Sequence, residues 1–187
     1  VLGLYSGVKH GEFYGGRYFN YQDIRGEEFN NEKTNGVTNL LTWNFGLQSS
    51  TNEVNTLWYR GYLAINRCNV VMNGLDTSPI DAALKTQYKA EASFLRALSY
   101  YSLLTLYARP YWDGNGSKPG LPLRLNAETS SGKSDLVRST VAQVYDQILI
   151  DLDFAEANLL ATNGSAYDNT TRAHKNTAIA LKTRVYL

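Results

Sequence analysis

The chain has 187 residues, enough for one domain with a hydrophobic core or for part of a larger domain. Lysine and arginine number 18 and aspartate and glutamate 17, so the net charge of +1 argues against a nucleic-acid or anionic-membrane surface. No run reaches the ~20 apolar residues of a membrane-spanning helix, and a single cysteine cannot form an internal disulfide. Because the chain begins at Val1 without a methionine or a signal sequence, we expect that an N-terminal segment has been removed.

The first 50 residues are rich in glycine, asparagine and aromatic residues and show little periodicity. Only the opening VLGLYSGVKHGEFY has a helical pattern, and its glycines weaken that pattern. A long segment without regular structure is uncommon in a compact domain and is often functional. We therefore predict an N-terminal helix and a loop-rich, ligand-facing segment over residues 1–50, and a helical scaffold over residues 51–187, together forming one structural domain.

The first long helix is predicted over residues 52–73. Apolar or small side chains recur at alternating spacings of about four and three residues from Val54 to Leu75, which is the stripe of an amphipathic helix. Gly74 stands where a residue in the left-handed conformation would end this helix. Cys68 falls on the stripe, so we interpret it as a small buried residue rather than as an exposed nucleophile.

The second long helix is predicted to begin at Ser78, with Pro79 at its first position, and to continue to about Tyr107. From Phe94 onward it is apolar on most of its circumference, so we expect it to be central and buried. Pro110 prevents further helix and belongs to a loop of sequence RPYWDGNGSKPGLP.

A second pair of helices is predicted in the last third of the chain. Thr140 and Gln143 have the spacing of a capping box, and the apolar alternation then continues to Leu159. After a loop rich in glycine, asparagine and serine, a fourth helix is predicted to begin near Arg172. Its pattern is still present at Leu187, so we expect the natural chain to continue.

The two pairs of helices are similar to each other in sequence pattern. When their stripes are aligned, Trp58 corresponds to Tyr145 and Ile65 to Leu152, and the run LRALSY corresponds to LKTRVY. Helix pairs that recur with large and small residues in register are typical of tetratricopeptide-like stacking, and two unrelated amphipathic hairpins are the alternative. We favour an all-α fold of tetratricopeptide-like helix pairs, an α-α superhelix with long inserted loops.

Four segments resemble, in this order and spacing, the SusD/RagB family of outer-membrane nutrient-binding lipoproteins: LWYRGYLAINRCNVVMNGL, AEASFLRALSYYSLLTLYARPYW, RSTVAQVYDQILIDLDFAEANL and TRAHKNTAIALKTRVYL. The resemblance covers most of residues 50–187, and VLGLYSGV is similar to the family's early helix. It implies a helical scaffold with glycan-binding loops, a lipidated N-terminal cysteine and a TonB-dependent transporter partner of the SusC type. The lipidated cysteine and most of the family's C-terminal half are absent from this chain, so the anchor is inferred and part of the ligand site is expected outside it.

Glycan recognition requires flat aromatic faces against the C–H surfaces of sugars, flanked by amide and charged groups that bond hydroxyls. The loop-rich segment supplies these types of residue in Asp23, Arg25, Glu27, Trp43 and Asn44. In the resemblance this region contributes to the binding face, so we predict that these residues bind the ligand. The alternative is that Trp43 fills the scaffold and that Asp23 pairs with Arg25 at the surface.

Tyr111 and Trp112 are the second candidate binding group. They follow Pro110 in a glycine-rich loop that also contains Asp113 and Asn115. Such a loop suits a stacking platform for sugars or a contact with the transporter. An aromatic lid over the helix ends is the alternative.

Patterns for catalysis or metal binding are weak. His10 and His174 lie at opposite ends of the chain without ligand-spaced neighbours, and the nucleophile-elbow, phosphate-loop and zinc-ligand motifs are absent from the sequence. Asp151 and Asp153 flank an apolar leucine and are interpreted as a solvated helix face rather than as an acid–base pair. We therefore predict a protein without enzymatic activity, metal or cofactor.

The predicted function is the binding of oligosaccharides at the cell surface for delivery to a SusC-type transporter in the outer membrane, with no role in nucleic-acid binding. The alternative is a tetratricopeptide-like scaffold that binds a peptide or protein in a concave groove lined by its helices. A glycoside hydrolase would need two facing carboxylates in a cleft, and the sequence gives no indication of such a pair.

Overall fold

The computed structural model describes residues 1–26, 40–130 and 135–187, in which all regular elements are helices. The helices are α1 (Leu2–Val8), α2 (Arg17–Arg25), α3 (Leu40–Trp43), α4 (Asn52–Thr77), α5 (Ala82–Tyr107), α6 (Val141–Asn158), α7 (Ala166–Thr171) and α8 (Lys175–Tyr186). Helices α4 and α5 pack against each other, α6 packs against α8, and α5 packs against α6 to join the two pairs. The all-α fold of stacked helix pairs that the sequence predicts is confirmed, whereas the division near residue 50 stays a prediction.

The main core lies between the two helix pairs. Ile65 of α4, Tyr100 and Leu103 of α5 and Ile148 of α6 are fully buried in it. Gly61 allows α4 and α5 to approach closely, because a Cβ atom at this position would lie 2.8 Å from the Leu103 side chain. The central, buried position predicted for the second half of α5 is therefore confirmed.

A second core cluster joins the N-terminal residues to the scaffold. Leu4 of α1 and Phe13 are buried in it together with Leu57 of α4 and Leu95 of α5. Helix α1 is shorter than its sequence pattern predicts, since it ends at Val8. The N-terminal residues are thus packed directly onto α4 and α5, which fixes where the following segment begins.

Helix α4 does not end at Gly74, contrary to the prediction. The helix continues through this glycine to Thr77, and Leu75 is buried with 8% of its surface exposed. A glycine inside a helix costs about 1 kcal/mol relative to alanine. Burial of an apolar side chain in the last turn stabilises the helix by more than this amount, so packing overrides the local end signal.

Helix α5 begins after Asp81, and the predicted start at Ser78 and Pro79 is wrong. The Asp81 carboxylate accepts hydrogen bonds from the backbone amides of Ala83 at 2.8 Å and Leu84 at 3.3 Å. These amides have no partner inside the helix, and an aspartate at the N-cap satisfies them. Ser78 instead follows the last residue of α4 in an extended conformation.

The predicted capping box at the start of α6 is confirmed. The backbone amide of Gln143 donates to Thr140 Oγ1 at 3.2 Å, and the backbone amide of Thr140 donates to the side-chain oxygen Gln143 Oε1 at 2.8 Å. Helix α8 begins three residues later than predicted, because Arg172 is extended and its guanidinium donates to the buried Glu91 carboxylate at 2.5 Å. The preceding loop contains α7, a short helix that the sequence analysis does not predict.

Asp151 is not part of a solvated face, so that interpretation is wrong. Only 3% of its side chain is exposed, and its carboxylate accepts two hydrogen bonds from Arg96 of α5 at 2.6 and 2.8 Å. Asp153, two residues further along α6, has 63% of its side chain exposed. Burial raises the pKa of the Asp151 carboxyl, and the Arg96 guanidinium opposes this effect.

Cys68 lies on the buried stripe of α4, as predicted, and is fully buried. Burial raises the pKa of its thiol to about 12, so the reactive thiolate is scarce at neutral pH. We expect the folded protein to resist alkylation by iodoacetamide at mildly alkaline pH, and the urea-unfolded protein to react as a free cysteine does. Mass spectrometry checks both, and rapid alkylation of the folded protein would contradict this burial.

No helix within the described parts of the chain combines the length and the apolar character needed to span a bilayer. In the same residue ranges, histidine, cysteine, aspartate and glutamate side chains form no cluster of three or more that would hold a metal ion.

Candidate functional site

The structure brings Arg25, Tyr111 and Trp112 together at one cleft of about 880 Å³. We call it the aromatic cleft, and its lining comprises Arg25 of α2, Leu104 and Thr105 of α5, the loop residues Ala108, Arg109, Pro110, Tyr111 and Trp112, Tyr145, Asp146 and Leu149 of α6, and Val185, Tyr186 and Leu187. Four aromatic side chains and three charged side chains therefore converge on this cleft from four parts of the chain. The volume lies in the range usual for sites that bind small molecules.

The two adjacent aromatic residues of the loop differ in their surroundings. Tyr111 is 48% exposed and packs edge-to-face against Tyr145, with ring centroids 5.9 Å apart. Trp112 is 78% exposed and belongs to none of the buried clusters of the described residues. An exposed tryptophan beside an anchored tyrosine offers flat apolar faces that retain polar edges. The alternative of an aromatic lid over the helix ends does not fit the exposure of Trp112.

The backbone of the loop fixes the position of Tyr111. Gly114, Asn115 and Gly116 have positive φ angles of 85°, 52° and 75°, so three successive residues are left-handed. The Gly116 amide donates to the Tyr111 carbonyl at 2.8 Å, and a Cβ atom at Gly116 would lie 2.6 Å from the Tyr111 ring. The Ala142 amide at the start of α6 donates to the Gly116 carbonyl at 2.9 Å. The glycine is needed because the ring packs directly over it.

The charges around the aromatic cleft are partly paired. Arg109 donates a hydrogen bond to the Asp113 carboxylate at 2.7 Å, which holds the pKa of Asp113 below its usual value. Among the residues that the structure describes, neither Arg25 nor Asp146 forms an ion pair. A cationic donor and an anionic acceptor at the same cleft are suited to hydrogen bonds with hydroxyl groups.

Arg25 also contributes to a smaller apolar cavity of about 220 Å³ beside the aromatic cleft. Phe45, which is 64% exposed and has a φ angle of 54°, lines this cavity together with Thr42 and Tyr107. The Thr42 hydroxyl is buried and has no hydrogen-bond partner within the described ranges. Arg25 therefore lines both cavities, whereas Thr42 and Phe45 of the predicted loop-rich segment line only the smaller one.

Three other predicted ligand residues do not line the aromatic cleft. Asp23 is exposed on α2, Trp43 is half-buried at the end of α3, and Asn44 follows it in an exposed position. None of the three lines either cavity. Glu27 lies outside the described residues. Two helices, α2 and α3, also replace part of the irregular structure that the sequence analysis predicts for this segment.

Several residues that line the aromatic cleft are not predicted from the sequence. Tyr145 and Tyr186 lie on helices whose stripes predict only core packing, and Asp146 has no neighbouring motif. The correspondence between Trp58 and Tyr145 is a signal that a large aromatic side chain is required at this point of each repeat. This correspondence gives no indication that Tyr145 lines a cleft.

A family model matches residues 14–187, and its description is "starch-binding associating with outer membrane", for SusD-like proteins. A SusD superfamily protein from Bacteroides fragilis is 35% identical with a TM-score of 0.90, and the match covers 98% of this chain and 43% of that one. A SusD superfamily protein from Bacteroides thetaiotaomicron is 26% identical with a TM-score of 0.83, and the match covers 98% of this chain and 40% of that one.

A laminarin-binding SusD-like protein shares the fold, with 20% identity, a TM-score of 0.72, and coverage of 100% of this chain and 40% of that one. A search of curated proteins finds no significant match. The chain thus spans about 40% of the length of the solved structures that it matches.

Proposed function

Because this chain belongs to the SusD/RagB family of outer-membrane nutrient-binding proteins, we propose that the protein binds oligosaccharides without cleaving them. The family membership supports a carbohydrate ligand, since the matching model is described as starch-binding. The binding residues of this chain are a separate question, because a shared fold does not determine a site.

The observation that carries the proposal is the exposed pair Tyr111 and Trp112 at the aromatic cleft. The C–H faces of a sugar ring stack on aromatic rings of this kind, and the anchored Tyr111 gives the platform a fixed orientation. Arg25 and Asp146 supply a donor and an acceptor for hydroxyl groups at the same cleft. Stacking and hydrogen bonding on one open surface favour reversible binding of a chain of sugars.

We also propose that Asp23, Trp43 and Asn44, which do not line the aromatic cleft, contribute to the ligand-facing surface, together with Glu27, which lies outside the described residues. Their residue types suit hydrogen bonding and stacking with sugars, and the resemblance implies that this region contributes to the binding face. An oligosaccharide extends over several sugar rings, so one ligand can contact two groups of residues that do not share a cavity.

The proposal includes delivery of the bound glycan to a TonB-dependent transporter of the SusC type at the cell surface. The family description, which associates these proteins with the outer membrane, supports this location. A lipid anchor on an N-terminal cysteine belongs to the same proposal. Co-purification of a TonB-dependent transporter with the affinity-tagged full-length protein, from membranes solubilised in mild detergent, tests the partnership.

Isothermal titration calorimetry of the full-length protein with soluble starch fragments and with laminarin oligosaccharides tests the ligand class. We expect saturable binding to one of these glucans, and chromatography of the sugar after incubation should show no shorter products. Release of shorter products would indicate a hydrolase. If neither these glucans nor a broad glycan array binds to the folded protein, the scaffold alternative replaces this proposal.

A further inference from the structure

Arg138 contacts both ends of the loop that carries Tyr111 and Trp112. Its side chain lies just before α6, and Nε donates to the Gly120 carbonyl at 2.6 Å. One terminal nitrogen donates to the Tyr107 carbonyl at 2.9 Å and to the Pro119 carbonyl at 3.2 Å. Tyr107 is the last residue of α5, where the loop begins, and Pro119 and Gly120 stand where the loop returns to α6.

An arginine is well suited to this position for two physical reasons. The last carbonyls of a helix lack partners inside the helix and carry a partial negative charge, so a cation that donates to Tyr107 stabilises the end of α5. The planar guanidinium holds its donors in a fixed fork, which allows one side chain to bond carbonyls of separate segments. A lysine ammonium is a single point of charge and does not offer that geometry.

Backbone hydrogen bonds hold the returning part of the loop, from Gly116 onward, against the start of α6. The Gly120 amide donates to the Ser139 carbonyl at 2.6 Å, and the Val141 amide donates to the Lys118 carbonyl at 2.9 Å. Arg138 adds a connection from this fixed end to the end of α5. The segment between the two ends contains the left-handed residues that place Tyr111 over Gly116.

We propose that Arg138 is a positioning residue for ligand binding, which orders the loop and thereby sets the orientation of Tyr111 and Trp112; this role rests on the proposed glycan-binding function. A platform that is already ordered loses less conformational entropy when a ligand binds. Without Arg138 the connection between the returning part of the loop and the end of α5 is lost, so more of the loop has to be ordered when the ligand binds. Arg138 is not among the residues that line the aromatic cleft, so it acts through the loop.

The test compares the full-length protein with its Arg138→Met variant, which keeps an apolar stem and removes the donors. Glycan affinity by calorimetry should fall by roughly tenfold, the effect of ordering two side chains and a loop on binding. Hydrogen exchange by mass spectrometry should accelerate in peptides that cover residues 108–120 and stay unchanged in those of α4. The exchange readout is local and needs no ligand.

Lys118→Met is the matched control, since it also replaces a cationic side chain by methionine, within the loop itself, and the Lys118 side chain donates none of the described hydrogen bonds. It should leave affinity and exchange at the wild-type values, and Arg138→Lys should lie between Arg138→Met and wild type. Wild-type affinity and wild-type loop exchange in Arg138→Met would overturn the positioning role alone. A wild-type protein that binds no glycan would overturn the proposed function, and this role with it.

Discussion

Replacement of Asp151 by alanine should lower the free energy of unfolding by about 3–5 kcal/mol, because it leaves the Arg96 guanidinium buried without its counterion. Only 11% of the Arg96 side chain is exposed, and among the described residues its remaining hydrogen bond would be the one to Asn69 Oδ1 at 2.7 Å. Urea denaturation of the full-length protein, followed by circular dichroism, measures the loss. The m value, which is the slope of the unfolding free energy against urea concentration, should be the same as in the wild type. An unchanged m value would show that the variant has lost stability without a change in the compactness of its folded or unfolded state.

Asp153→Ala is the matched control, since it removes the same side chain from the same helix at an exposed position. Its partner Lys182 also contacts Glu156 at 2.8 Å, so the lysine retains a counterion. We expect a change of less than about 1 kcal/mol, as for other surface ion pairs. Equal losses for the two variants would contradict the difference in burial between Asp151 and Asp153.

The helical fold follows from sequence because its main determinant is local. The apolar stripes of α4, α5 and α6 specify which face of each helix is buried, and Ile65, Tyr100 and Ile148 are buried accordingly. The capping box at Thr140 is equally local, since both partners lie within one turn. Such features depend only on residues a few positions apart, so periodicity and spacing are sufficient to predict them.

Pairings between distant residues are not encoded in any local pattern. Asp151 and Arg96 are separated by 55 positions, and each taken alone resembles an ordinary charged residue of a helix surface. The end of α4 is a related case, because a glycine suggests termination while the burial of Leu75, which depends on the fold, extends the helix. In both cases tertiary packing overrides what the neighbouring residues indicate.

In the candidate site, too, some features follow from the local sequence and others depend on tertiary packing. The composition of the loop identifies Tyr111 and Trp112 as candidates, since two aromatic residues among glycines seldom serve a helical core. The meeting of this loop with Arg25 depends on how α2 is placed against the end of α5, and the contribution of Tyr145 depends on how the two helix pairs stack. Neither arrangement has a signature in the sequence.

Replacement of Trp112 by alanine should weaken oligosaccharide binding by about 30-fold or more, which corresponds to about 2 kcal/mol. An exposed tryptophan that stacks on a sugar loses most of its water-accessible surface only in the complex, so its contribution belongs to binding. The melting temperature should stay unchanged, because 78% of the Trp112 surface is already exposed in the folded protein. Calorimetric titration and a thermal melt of the full-length variant measure the two quantities.

Trp58→Ala provides the opposite pattern and serves as the comparison. Trp58 is half-buried and packs against Tyr62 and Tyr107 with ring centroids 4.7 and 5.0 Å apart, so its removal should destabilise the fold by about 3 kcal/mol. Once the Trp58→Ala protein is folded, its affinity for the glycan should remain close to wild type, since Trp58 does not line the aromatic cleft. A Trp112→Ala protein that melts early and binds normally would reverse the assignment, and Trp112 would then be a structural residue rather than a ligand contact.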